Sequence, residues 1–103
     1  MTYYRFWRNG EDIVVTEYLP IPKLGRIEWR AHDCVCDSFA VALNLVIEKW
    51  ERTGASFALA TEAIPDSREK KMKLLYGEER VLVEKVAEAY KTLTEVRRLT
   101  EKK

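Results

Sequence analysis

The sequence predicts an α+β fold: an antiparallel sheet of three strands, four if residues 55–64 join it, that starts with an N-terminal β-hairpin and is packed by a buried central helix and a long C-terminal helix. Three features carry this expectation. The first thirty residues are rich in β-branched and aromatic side chains punctuated by turn residues, residues 39–50 are apolar at helical spacing, and residues 82–96 repeat apolar side chains at steps of four and three. With 103 residues and 47% hydrophobic composition, the whole of 1–103 is expected to form one globular domain.

Tyr3–Arg8 and Glu11–Tyr18 read as the two strands of the hairpin, and Asn9-Gly10 suits a two-residue type I′ turn between them. That turn sets Arg8 opposite Glu11, Phe6 opposite Ile13 and Tyr4 opposite Val15 on the side expected to face the core. The other side then carries Tyr3, Arg5 and Trp7 beside Val14, Thr16 and Tyr18. Leu19-Pro20-Ile21-Pro22-Lys23-Leu24-Gly25 predicts a break, because proline donates no backbone hydrogen bond. Strict alternation resumes in Arg26–Arg30, a third strand with Ile27 and Trp29 on one face.

A helix is expected from Asp33 or Asp37 to Thr53. Asp33, Asp37 and Ser38 are all good N-caps, Phe39, Ala42, Leu43, Val46, Ile47 and Trp50 share a face, and Gly54 stands where a C′ glycine belongs. Val41 and Leu45 make this helix apolar almost all round, which predicts burial against the sheet and against another helix. Residues 55–64 alternate like a strand, although their alanines and Glu62 also suit a helix; a short strand is favoured. Pro65-Asp66-Ser67 is a stop and cap, Arg68–Tyr76 reads as a basic amphipathic turn of helix, and Gly77 ends it. The last helix, about Glu78–Leu99, repeats Leu82, Val86, Ala89, Leu93 and Val96, widened by Val83 and Tyr90.

A net charge of +1 gives the whole molecule no field that would draw it onto nucleic acid or a membrane, so any such binding must use a local patch. The N-terminus lacks the pattern of a secretory signal, and no apolar run approaches the ~20 residues of a bilayer span, so a cytoplasmic protein with no membrane partner is expected. Gln is absent and Asn occurs only at positions 9 and 44 while Glu, Lys and Arg abound, a thermophile-like composition; the absence of a complete active site beside abundant apolar periodic surface is the build expected of small regulators, including those of mobile elements. The four glycines are isolated, which excludes P-loop and Rossmann nucleotide sites; no cofactor is expected.

Chemistry, if any, concentrates at His32-Asp33-Cys34-Val35-Cys36-Asp37. A closed zinc site needs four ligands, usually from two knuckles, and one C-x-C pair is half of that, so His32, Cys34 and Cys36 are weak metal candidates that only a second chain could complete. A cysteine nucleophile lacks a base from another element, its neighbouring carboxylates oppose the thiolate, and the spacing is not the C-x-x-C of thiol oxidoreductases. No complete catalytic set is present. The leading expectation is therefore a small non-enzymatic interaction or regulatory protein that binds other proteins and forms a homodimer through Leu82, Val86, Leu93 and Val96. The alternative is nucleic-acid binding by Tyr3, Arg5, Trp7, Tyr18, Arg26 and Arg30, which combine rings for stacking with guanidiniums for phosphate. The two readings divide on whether the Tyr3, Arg5 and Trp7 face is open to solvent.

Overall fold

The computed structural model describes residues 2–53, 57–59 and 64–101. Its elements run β1 (Thr2–Asn9), β2 (Asp12–Lys23), β3 (Arg26–Cys36), α1 (Phe39–Thr53), β4 (Phe57–Leu59), a short 3₁₀ turn (Glu69–Lys71), β5 (Lys73–Leu74) and α2 (Glu78–Glu101). The sheet order is β3-β2-β1-β4, with the three long strands antiparallel, β4 parallel to the start of β1 and β5 antiparallel to its end. This is the α+β class the sequence predicts, with both helices present and Phe57–Leu59 supplying the fourth strand. The rest of the 54–63 stretch lies outside the described residues, apart from Phe57–Leu59.

The first hairpin differs from expectation by two residues of register. Asn9 pairs with Asp12, so the loop is Gly10-Glu11 and the pairs are Arg8 with Ile13, Phe6 with Val15 and Tyr4 with Glu17. Type I′ requires positive φ at both loop positions, whereas only Gly10, at φ 65, adopts it. Arg8 consequently faces Ile13 and directs its guanidinium to Glu79 of α2 rather than to Glu11. A slip of two preserves the parity of the strand, so the expected inward side chains stay inward: Tyr4, Phe6, Ile13 and Val15 are all buried.

The prolines do not break β2. Pro20 pairs with Trp29 and Pro22 with Ile27. Asp12 exchanges hydrogen bonds with Asn9 across the two-residue loop, so the even-numbered residues of β2 turn their backbone groups toward β1. Beyond Tyr18, the last residue of β2 paired with β1, that side has no strand among the described residues to accept a bond, and the missing donors of Pro20 and Pro22 point there. The β2–β3 ribbon therefore runs on to the Leu24-Gly25 turn, about 16 Å past the end of β1 at a strand rise of roughly 3.3 Å per residue. This arm helps explain a radius of gyration of 14.4 Å, against about 13 Å for a compact chain of this length.

β3 continues to Cys36, so Asp33 lies in the strand and the helix starts later than expected, at Phe39. Ser38 is the cap: its Oγ accepts a hydrogen bond from the Val41 N–H at 3.3 Å. α1 buries Ala42, Val46 and Trp50 on the sheet while Val41 is exposed, so the helix is less fully enclosed than its composition predicts. Its far end meets α2, where Trp50 packs edge-on against Tyr90 with centroids 4.5 Å apart and donates Nε1–H to Thr94 Oγ1 at 2.8 Å. Between the helices and one sheet face sits the main core, Tyr4, Phe6, Ile13, Val15, Cys36, Val46, Trp50, Leu75 and Val83 among its members. The expected basic helical turn at 68–76 is instead the 3₁₀ turn followed by β5, because Lys73 and Leu74 pair with the end of β1.

Candidate binding surfaces

On the face of the sheet away from the helices, residues 64–72 cross β1 and β2 as a strap. Beneath it lie Arg5, Trp7, Val14, Thr16 and Tyr18, all buried. Met72 packs with Trp7 and Val14, and the polar groups join in one network. Trp7 Nε1–H donates to Thr16 Oγ1 at 2.8 Å, and Thr16 in turn donates to Asp33 Oδ1 at 2.8 Å. Arg68 forks between two carboxylates, pairing with both oxygens of Asp33 and both of Asp66, and lies 5.6 Å from the centroid of the Trp7 ring. Tyr18 donates its hydroxyl to Asp66 Oδ2 at 2.7 Å and accepts from Arg5 Nη1 at 3.0 Å; Arg5 also reaches the Ile64 carbonyl and Glu69. Among the described residues no buried side-chain polar atom lacks a partner.

The charges follow from these contacts. Burial alone would raise the Asp66 carboxyl, but the hydrogen bonds from Arg68 and Tyr18 outweigh it and bring its pKa down to about 2. The hydrogen bond from Arg68 is the main cause that holds Asp33 below the ordinary carboxylate range, and bonds to Asp33 and then Asp66 push Arg68 up. Burial and the bond to Asp66 raise the Tyr18 hydroxyl. All of these shifts favour the states already present at neutral pH. A network so completely paired fastens the strap to the sheet.

The sequence-derived surface is thus divided. Arg5, Trp7 and Tyr18 are 6%, 7% and 1% exposed beneath the strap, whereas Tyr3 and Trp29 are half-buried at its margin, stacked edge-on at 5.5 Å, and Arg26 and Arg30 stand out on the arm. Strap and arm border an open cavity of about 420 Å³ whose walls include Trp29, Ala31, Pro65 and Ser67, with Asp33 and Arg68 at its base. A larger cavity, about 720 Å³, opens between β1 and the start of α2 with Tyr4, Phe6, Leu75 and Val83 in its wall; at its rim Arg80 and Glu84 pair with each other at 3.1 Å.

His32, Cys34 and Cys36 project from one face of β3 at every second residue, opposite Glu17, Val15 and Ile13. At about 3.3 Å per residue His32 and Cys36 are roughly 13 Å apart along the strand, too far to meet on one ion. Cys36 is buried in the core, and burial, then Cys34 and Asp37, raise its thiol, the opposite of what a nucleophile requires. Among the described residues no group of three or more His, Cys, Asp or Glu could hold a metal ion.

α2 carries two stripes. Val83, Ala87 and Tyr90 face the core with Thr94 and Arg97, whose guanidinium lies 4.5 Å from the centroid of the Trp50 ring. Leu82, Leu93 and Val96 are 44%, 47% and 52% exposed, and Val86 sits between the stripes, half-buried against the core. Also outside the core are the arm, with Leu24 wholly exposed and Ile27 58% exposed, and the outer edge of β3. No helix among the described residues is long and apolar enough to cross a membrane. Comparisons with protein-family models, with curated proteins and with solved structures found no match.

Proposed function

We propose that this chain is a non-enzymatic interaction protein that works as a homodimer and binds a further protein. The observation that carries the reading is the second stripe of α2: the fold uses Val83, Ala87 and Tyr90, and leaves Leu82, Leu93 and Val96 outward at coiled-coil spacing. Such a stripe suits an amphipathic helix laid alongside it, the α2 of a second copy or a helix of another protein. Nucleic-acid binding through the sheet face would require the strap to leave, since Arg5, Trp7 and Tyr18 lie beneath it.

Light scattering tests the homodimer directly, with a dimer expected at micromolar concentration and a monomer refuting it. L93D/V96D tests the stripe. If Leu93 and Val96 serve a partner, the isolated variant keeps its stability to within about 0.5 kcal/mol of wild type, as for other surface changes. A loss of several kcal/mol would make the stripe part of the chain's own core.

A further inference from the structure

β1 is covered on its outer side by β4 and β5, whereas β3, at the other end of the sheet, has no neighbour beyond it among the described residues. Lys23 and Arg26 flank the two-residue loop and form a hydrogen-bonded pair, so the even-numbered residues of β3 address β2. Ile27, Trp29, Ala31, Asp33 and Val35 therefore turn their N–H and C=O groups outward. The strand holds no proline, the device that commonly blunts such an edge.

Its charges alternate in sign. On the helix-side face the order is Arg26, Glu28, Arg30, His32, with Arg26 and Glu28 paired at 2.7 Å and Arg30 exposed and without a partner among the described residues. We propose that two copies of the chain join edge to edge through β3, antiparallel about a two-fold axis at Trp29, into one continuous sheet. This keeps the homodimer of the reading above but carries it on the open edge and charge pattern of β3 instead of on α2, whose outer stripe then supports only the binding of a further protein.

The register follows from elimination. With Trp29 opposite the partner's Trp29, the backbone groups that meet are the outward-facing ones. Glu28 then lies opposite the partner's Arg30, and Arg30 opposite the partner's Glu28, in the closer, non-hydrogen-bonded positions of an antiparallel ladder. Ile27 meets the partner's Ala31, and Arg26 meets the partner's His32. Centring on Glu28 or Arg30 sets like charges face to face, and centring on Asp33 opposes two carboxylates. A centre at Ile27 leaves only residues 26–28 of β3 in the ladder. Centres at Ala31, His32, Cys34 or Val35 deprive Glu28 of a cationic partner.

A charge-swap cycle read by light scattering and sedimentation tests the arrangement. E28R and R30E, each of which sets like charges against each other twice, should weaken the dimer roughly tenfold or more, and E28R/R30E should restore it. Both side chains are exposed, so circular dichroism should remain that of the wild type. L93D/V96D should stay dimeric. A dimer unaffected by the single reversals, a double variant that stays monomeric, or dissociation by L93D/V96D would overturn the β3 arrangement while leaving the homodimer standing; a monomeric wild type would remove both.

Discussion

Replacing Asp66 by Asn keeps the shape of the side chain and removes its charge from between Arg68 and Tyr18. The side chain is only 6% exposed, and its pKa falls from 3.8 to about 2 on folding. That depression corresponds to about 2 kcal/mol of stability at neutral pH. Arg68 itself is 36% exposed, so solvent screening makes this an upper figure. A folded-state pKa below the unfolded one gives stabilisation that is full above pH 3.8 and is lost as pH falls toward 2. D66N should therefore unfold about 10 °C lower than wild type near pH 7, taking about 4–8 °C per kcal/mol for a domain of this size. Near pH 3 about half of the difference should remain, and little of it at pH 2. Thermal and urea unfolding followed by tryptophan fluorescence would measure it, since Trp7 lies under Arg68. A D66N variant within 0.5 kcal/mol of wild type at pH 7, or a deficit that persists unchanged into acid, would refute the view that this carboxylate fastens the strap.

At the other end of the molecule, T94V should cost about 1–3 kcal/mol by leaving the buried Trp50 N–H without an acceptor, and W50A about 3–5 kcal/mol by emptying the α1–α2 junction; chemical denaturation distinguishes the two. Gly77 adopts φ 69 just before α2, so G77A should destabilise by about 1 kcal/mol through backbone strain alone, since nothing stands within 4 Å of the added methyl. In the folded protein a thiol reagent at pH 8 should modify Cys34 well before Cys36, whose buried thiol should react only on unfolding; equal rates would contradict its placement in the core.

Much of the fold is readable because it is local. Asn9-Gly10 marks the hairpin even though the loop settles one residue later, and a two-residue register shift leaves each side chain on its face, so the core survives the error. Pro20 and Pro22 mislead for a non-local reason: whether a proline interrupts a strand depends on whether a neighbour needs its N–H, and β1 ends before reaching them. The strap is the larger omission. Pro65-Asp66-Ser67 reads as the stop and cap of a helix, but the 3₁₀ turn begins after Arg68 with no side-chain cap; Asp66 Oδ1 instead accepts the Arg68 N–H at 2.9 Å in a local turn. Its carboxylate also accepts from Tyr18, 48 residues away on the sheet, and nothing in the spacing reveals that contact. For the same reason Arg5, Trp7 and Tyr18 look like a binding platform in the sequence and turn out to be the floor under Arg68 and Met72.

Covering that face moves the interaction problem to the rim of the sheet. The two rims differ: the β1 side is closed by β4 and β5, while the eleven residues of β3 have no neighbour beyond them among the described residues. An edge kept monomeric by charge works best with one sign, because any antiparallel copy then meets repulsion in every register. Here Glu28 stands between Arg26 and Arg30, so repulsion depends on register, and at a two-fold centred on Trp29 it becomes attraction at two positions. In the arrangement proposed, Glu28 is the residue that turns repulsion between copies into attraction, so reversing Glu28 alone should weaken assembly and reversing it together with Arg30 should restore it.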